Sequence, residues 1–180
     1  MWYSNYNPGV GSTLIHVITT AFFFWSVMDA HWFEDTTTKC HEGIFLKRCP
    51  GDSSPEKLTN LQPEQQAAQV LIPICVGLAA MLMIGSFHQW GKLRVDGEEH
   101  IAFVASRGTL AFLLVGSAWA AFGLLHSVHN TKFVNEELDQ LYLFWIFLVA
   151  AILATLDLFT GQFPSFLRNN YSSQGYASGV

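Results

Sequence analysis

Four long apolar stretches constrain the fold of this chain more than any other feature of its sequence. They run from about Val10 to Met28, Ala67 to Trp90, Ile101 to Leu125 and Leu141 to Phe159. About 20 apolar residues in a helix cross the hydrocarbon core of a bilayer, which is about 30 Å thick. None of the stretches alternates polar and apolar residues as a barrel strand does. We therefore predict an all-α membrane protein folded as an antiparallel bundle of four transmembrane helices.

The composition supports this class and argues against several functions. Hydrophobic residues make up 51% of the 180 residues and charged residues only 13%, whereas soluble domains carry about 25% charged residues. The net charge of −5 comes with no basic run, so nucleic acid is not an expected partner. The sequence contains none of the common nucleotide-binding, zinc-protease or hydrolase motifs. We therefore expect no enzymatic activity and no cofactor.

The apolar pattern also predicts how the chain is divided. We expect a transmembrane domain over residues 1–163 and a polar cytoplasmic tail over residues 164–180. The helices are predicted at about 10–30, 67–90, 101–126 and 141–161, with a long first loop at about 31–66. An even number of helices places both termini on the same side of the membrane.

Two cysteines in the long loop bear on its environment. Cys40 and Cys49 have eight residues between them, and such a pair can form a disulfide in an oxidising compartment that constrains the loop by about 2–3 kcal/mol. A metal site with His41 as a third ligand lacks an evident fourth ligand, and redox pairs are usually C-x-x-C. We therefore predict a structural disulfide, an extracellular loop and cytoplasmic termini, although the count of Lys and Arg slightly favours the opposite orientation.

These features together resemble a known family. Four helices, a long first extracellular loop, Trp32 just after the first helix, and the pair Cys40 and Cys49 resemble the claudin superfamily. That group includes claudins, epithelial membrane and peripheral myelin proteins, and auxiliary subunits of calcium channels and AMPA receptors. The resemblance implies a multi-pass protein of the plasma membrane that acts through protein contacts. It implies either an auxiliary or assembly subunit of a membrane complex or a cell-junction or adhesion component.

Two further segments carry the same resemblance. Residues 61–71 are similar to the start of the second helix in claudins, with Gln69 where those proteins have an arginine. The third helix begins with small residues and one basic residue, Arg107, and the same combination starts this helix in many claudins.

The sequence also departs from the family pattern. Thr36-Thr37-Thr38-Lys39 stands where the family has Gly-Leu-Trp. Seven residues separate Trp32 from Cys40, where claudins have more than twenty and build their first two or three extracellular strands. We therefore expect an incomplete extracellular sheet and no tight-junction pore, which favours the role of a subunit or assembly partner.

Two charged residues are predicted at similar depths in the membrane. Arg107 lies about two turns into the third helix, and Asp157 lies about one turn from the end of the fourth. A lone charge within a membrane costs about 2.5–3.5 kcal/mol on insertion scales. We predict that Arg107 and Asp157 form an ion pair or share a hydrogen-bond network, with independent contact to the membrane surface as the alternative.

Histidines near the helix ends are consistent with a second function, which is haem binding. Bis-histidine haem sites use histidines of facing helices at one depth. The candidates are His16, His88 and His100 on the cytoplasmic side and His31, His126 and His129 on the outer side. The alternative function is therefore a haem-binding electron carrier or a small subunit of a respiratory complex. Polar residues placed at the membrane interface explain the same pattern without haem.

Two last features concern contacts with other helices and proteins. Gly116, Ala120 and Gly123 form a small-residue face on the third helix, which we predict to pack within the bundle. The chain ends in Ser178-Gly179-Val180, a form that adds a strand to PDZ domains. The predicted partners are therefore the membrane, other integral membrane proteins and a PDZ scaffold.

Overall fold

The computed structural model describes residues 8–28, 31–35, 38–58, 61–93, 101–133, 138–140 and 142–162. Within them lie four helices: α1 (Pro8–Met28), α2 (Pro63–Leu93), α3 (Ile101–Phe133) and α4 (Tyr142–Asp157), and α4 continues into a π-helical segment over Leu158–Gln162. Each of the four is long and apolar enough to cross a membrane. The chain is mostly helical, as predicted, and the length and composition of its helices support a multi-pass membrane protein. The predicted all-α class is wrong in one respect, because short segments outside the helices form a five-stranded sheet. The predicted tail lies outside the described residues.

On α1, most of the inward-facing side chains are polar, and most of the large apolar ones face outward. The inward face of α1 carries Thr13, His16, Thr19, Phe23 and Ser26, spaced three or four residues apart and all less than 9% exposed. Its outward face carries side chains that are more than half exposed: Leu14, Phe24, Trp25 and Met28. This pattern is the reverse of that in a water-soluble bundle, because lipid solvates large apolar side chains while the interior needs close helix approach.

The helices form a ring in which α1 and α3 each pack against α2 and α4. Small buried side chains line much of the ring: Ala68, Ala79, Ala111, Ala118, Ala121, Ala150, Ala151 and Ala154. Small residues allow backbones to approach closely, so van der Waals contact between helices can replace the missing hydrophobic driving force.

The small-residue face of α3, which the sequence places inside the bundle, instead faces outward. Gly116, Ala120 and Gly123 are exposed, and a Cβ atom added to either glycine would meet nothing within 4 Å. The prediction that this face packs within the bundle is wrong. Ala118 and Ala121, on the opposite side of α3, are the residues buried against the neighbouring helices.

A small sheet caps the end of the bundle where α1 ends and α2 begins. Its strands are β1 (Phe33–Asp35), β2 (His41–Glu42), β3 (Leu46–Arg48), β4 (Glu56–Lys57) and β5 (Leu138–Gln140). They lie in the order β4-β3-β2-β1-β5, and every neighbouring pair is antiparallel. Because β5 comes from the segment between α3 and α4, both connecting segments on this side build one sheet.

The sheet has more strands than the short interval after Trp32 can supply. The interval between Trp32 and Cys40 holds only one strand, β1, as its length requires. The sheet still reaches five strands, because each strand is only two or three residues long and the others lie after Cys40 or before α4.

The disulfide predicted between Cys40 and Cys49 is present, with Cα atoms 4.1 Å apart. It joins the residue before β2 to the residue after β3. The chain then turns through Cys49-Pro50-Gly51-Asp52, where the Asp52 N–H donates to the Cys49 carbonyl at 3.1 Å. Gly51 has φ +95°, so proline followed by glycine here matches the requirements of a type II turn.

Candidate functional site

Each of the four helices contributes one polar side chain to a cluster in the bundle. His16 of α1, Ser86 of α2, Arg107 of α3 and Asp157 of α4 are between 3% and 8% exposed. His16 Nε2 lies 2.8 Å from Asp157 Oδ2, and His16 Nδ1 lies 2.6 Å from Ser86 Oγ. Arg107 Nη2 donates to the same Ser86 Oγ at 3.0 Å. We call these four residues the polar cluster.

Two neighbouring groups complete the contacts of the polar cluster. Ser12 lies one turn before His16 on α1, and its Oγ donates to Asp157 Oδ1 at 2.9 Å. Both oxygens of the Asp157 carboxylate are therefore hydrogen-bonded. Ser86 Oγ also lies 2.9 Å from the carbonyl oxygen of Leu82, one turn earlier on α2. Asp157 is the last residue of α4 before the π-helical segment, a local irregularity that is frequent at functional sites.

The structure joins Arg107 to Asp157 through Ser86 and His16. Sequence reasoning placed the two charged residues at one depth but missed the two side chains that connect them. The available signal was the polar spacing on α1, where Thr13, His16 and Thr19 recur every three residues. That spacing marks an inward face and so distinguishes His16 from an interfacial histidine.

The polar cluster has the residue types of a hydrolase triad, but its geometry does not favour that chemistry. A triad needs a serine hydroxyl that can reach a substrate. Ser86 is 3% exposed, and its hydroxyl already contacts three groups, on Leu82, Arg107 and His16. A hydroxyl has one donor and two acceptor positions, so these neighbours occupy all of them. The arrangement instead fixes the four helices to one another.

The histidines considered as haem ligands occupy different settings. Both ring nitrogens of His16 are in hydrogen-bond contact, which leaves neither for an iron atom. His88 and His126 are exposed. The His31 ring contacts the rings of His41 and Tyr142, with centroids 4.8 Å and 5.7 Å apart. His100 and the side chain of His129 lie outside the described residues. Across the part of the chain that the structure describes, no three His, Cys, Asp or Glu residues group as a metal site.

Trp32 joins the sheet to the helices. Its side chain is fully buried, and its Nε1–H donates to the Ser26 carbonyl of α1 at 2.6 Å. Its ring contacts Phe147 of α4, with centroids 5.4 Å apart. The next residue, Phe33 of β1, contacts Phe144 of α4 at 6.1 Å. The start of the sheet is therefore packed against two helices by aromatic side chains.

Gln69 forms a second attachment. Its Nε2 donates to the carbonyl of Ile44 at 2.7 Å, and Ile44 lies in the connection between β2 and β3. The amide therefore ties the middle of the sheet to the first turns of α2. Of the residues that carry the claudin-like pattern, Trp32, Cys40, Cys49 and Gln69 all lie in the sheet region or at its junction with the helices. Arg107 belongs to the polar cluster.

The described residues thus form a mostly helical fold, with four helices long and apolar enough to cross a membrane and a disulfide-linked sheet at one end of their bundle. The chain matches no protein-family model, and no curated protein sequence matches it. The claudin-like resemblance therefore stays a prediction that depends on the residues described above.

Proposed function

We propose that this protein is a non-enzymatic, claudin-like tetraspan protein of the plasma membrane that acts through protein contacts. It serves as an auxiliary or assembly subunit of a membrane complex or as a junction or adhesion component. The observation that carries the proposal is the sheet. Segments from both connecting regions form it, a disulfide closes its central strands, and Trp32 and Gln69 fix it to the helix ends.

A sheet held in this way presents one defined surface to a partner. Binding costs less free energy when the contacting backbone is already ordered, because little conformational entropy remains to be lost. The strands are too short to be stable alone, so the disulfide and the aromatic anchors serve mainly to hold a shape. We infer that this shape is the recognised feature.

The proposed topology is an antiparallel bundle with the sheet outside and both termini in the cytoplasm. Two contacts between α1 and α4 support opposite helix directions, because His16 meets Asp157 whereas Phe23, further along α1, meets Phe147, earlier on α4. The disulfide supports an outer sheet, since disulfides persist in oxidising compartments. In this orientation the polar cluster lies towards the cytoplasmic side. The predicted PDZ-ligand residues Ser178-Gly179-Val180 lie outside the described residues.

Purification from membranes in mild detergent, with identification of co-purifying proteins, tests the proposal. The wild-type chain is compared with a Cys40→Ser/Cys49→Ser variant, which loses the disulfide, and with Cys75→Ser as a matched control at a buried free thiol. We expect an integral membrane partner with the wild type and the control, and much less of it with the double variant. A chain that purifies without a protein partner and shows a haem absorbance spectrum would overturn the proposal in favour of electron transfer.

A further inference from the structure

Two histidines meet at the junction between the sheet and the helices. His31 lies between the end of α1 and β1, and His41 is the first residue of β2. Their ring centroids are 4.8 Å apart. The His31 ring also stacks on Tyr142, the first residue of α4, with centroids 5.7 Å apart. Both histidines are partly exposed, so the surrounding solution lies close to the two rings.

One nitrogen of this pair lacks a hydrogen-bond partner. His41 Nδ1 is buried, and no group among the described residues bonds to it. Buried polar atoms are normally paired, so an orphaned one points to a bound water or ion. Ring stacking explains why His31 lies against Tyr142, but stacking does not satisfy the lone pair or the N–H of a ring nitrogen. A group from outside the described residues is therefore expected at His41 Nδ1.

The spacing of the two rings fits a shared transition-metal ion. A histidine nitrogen lies about 2.0–2.1 Å from Zn²⁺, and two rings bound to one tetrahedral ion have their centres roughly 5 Å apart. The 4.8 Å between the His31 and His41 rings agrees with this spacing. Each histidine uses only one ring nitrogen for the ion, and the other usually donates a hydrogen bond to a neighbouring group. Further hydrogen bonding of His31 is therefore compatible with ligation.

The backbone around both histidines is held in place. The Trp32 N–H donates to the Glu42 carbonyl at 3.2 Å, which ties the residue after His31 to the residue after His41. Cys40, the residue before His41, belongs to the disulfide. Its sulfur is therefore no ligand, but the disulfide limits the movement of the start of β2. Ligands that are already ordered lose little conformational entropy when an ion binds.

The charge near His41 also favours a cation. Glu34 lies directly opposite His41 on β1, and side chains opposite each other in an antiparallel pair have Cβ atoms about 4.5–5.5 Å apart. Lys39 Nζ lies 3.5 Å from the Glu34 carboxylate, and the lysine side chain is 62% exposed. Exposed ion pairs of this kind contribute little to stability, so the lysine can move aside when a metal ion approaches.

We propose that His31 and His41 form a binding site for Zn²⁺ at the sheet end of the bundle. Imidazole nitrogens suit Zn²⁺, whereas Ca²⁺ and Mg²⁺ prefer oxygen ligands. No third His, Cys, Asp or Glu side chain among the described residues is placed as a ligand. Water therefore completes the coordination, and the site binds more weakly than a structural zinc site with four protein ligands.

A bound ion would join the segment after α1 to β2 and so stiffen the sheet beside the start of α4. This site is additional to the proposed function, and its test does not need the partner.

Isothermal titration of the full-length protein in detergent with Zn²⁺ tests the site. The protein is purified without reducing agent and with an affinity tag that contains no histidine, so that neither loop thiols nor the tag bind the ion. We expect one Zn²⁺ per chain and at least about tenfold weaker binding in His31→Gln and in His41→Gln, since loss even of a group that only supports a ligand costs about 10–100-fold. The matched control is His126→Gln, at an exposed histidine, which should bind Zn²⁺ as tightly as the wild type.

Zn²⁺ binding that is unchanged in both histidine variants would overturn the proposal, as would an equal loss in His126→Gln. Hydrogen exchange of the wild type provides a second readout that needs no variant. Saturating Zn²⁺ should slow exchange in residues 31–35 and 41–42 and leave the helix segments around the polar cluster unchanged, and Ca²⁺ should have no effect. Unchanged exchange in β1 and β2, or the same slowing by Ca²⁺, contradicts the site even if a histidine variant does not fold.

Discussion

The two ends of the bundle are held together by different chemistry. At the sheet end, a disulfide, a buried tryptophan and phenylalanine contacts attach short strands to the helices. At the other end, one polar side chain from each helix meets in a buried hydrogen-bond network. The sheet end depends mainly on apolar packing and a covalent bond, whereas the other end depends on buried hydrogen bonds between side chains of all four helices. The sheet end is therefore suited to presenting a constant surface, and the polar-cluster end to fixing the four helices to one another.

The largest effect should come from removing the anchor of the sheet. Trp32→Ala deletes a fully buried side chain and a hydrogen bond to Ser26, and such truncations cost about 3–5 kcal/mol. We expect the unfolding temperature in detergent to fall markedly. The matched control is Trp25→Ala, because Trp25 is 53% exposed on the outer face of α1 and its truncation should cost little. Equal losses for the two variants would mean that Trp32 does not anchor the sheet.

A smaller effect should follow from opening the disulfide. Removing a disulfide that closes a loop of this size should cost about 2–3 kcal/mol of stability if its effect is mainly to limit the entropy of the unfolded chain. Cys40→Ser/Cys49→Ser, or reduction of the wild type, should speed hydrogen exchange in β2 and β3 and leave the helix segments around the polar cluster unchanged. Hydrogen exchange followed by mass spectrometry resolves the two regions. Faster exchange around His16 on reduction would show that the two ends are not independent.

A still smaller loss of stability is expected when Gln69 is replaced. Gln69→Leu keeps much of the side-chain volume but removes the bond to the Ile44 carbonyl, at a cost of about 1–3 kcal/mol if that carbonyl is left unpaired. The change should loosen the connection between β2 and β3 more than the rest of the sheet, as seen by the same exchange measurement. Gln66→Leu is a control, since its Nε2 bonds Leu61 at an exposed site. Identical exchange in both variants would remove Gln69 from the set of anchors.

The smallest expected effect is a gain in stability. Thr19 is 1% exposed on the inner face of α1, and its Oγ1 has no hydrogen-bond partner among the described residues. Thr19→Val keeps the side-chain shape and removes a buried hydroxyl, so we expect stabilisation of about 1 kcal/mol or more. Thr20→Val is the control, because Thr20 Oγ1 donates to the His16 carbonyl. Destabilisation by Thr19→Val would show that the Thr19 hydroxyl has a hydrogen-bond partner when the protein is in the membrane.

The sequence predicted those parts of the fold that depend on long or chemically unusual patterns. The four apolar runs were enough to predict the helices, and the spacing of Cys40 and Cys49 was enough to predict the disulfide. The number and pairing of the strands in the sheet could not be predicted, because strands of two or three residues are too short to show alternation. Its pairing of β1 with β5 also joins segments about one hundred residues apart.

The inner faces of the helices were harder to assign. On α3, small residues occur on two sides, at Gly116 and Gly123 and at Ala118 and Ala121, so residue size alone does not distinguish the buried side. On α1, the polar residues Thr13, His16, Thr19 and Ser26 recur on one side, and that side is buried. In a membrane helix the polar periodicity is therefore the more informative of the two patterns.

The orientation of the two ends is the claim on which the proposed function depends. Single cysteines can be placed at Lys57 on β4 and at His88 on α2, both of which are exposed. They are then labelled in intact cells with a maleimide that does not cross membranes. We predict that Lys57→Cys is labelled at once and that His88→Cys is labelled only after the cells are permeabilised. The reverse result would place the sheet in the cytoplasm and contradict the proposed function.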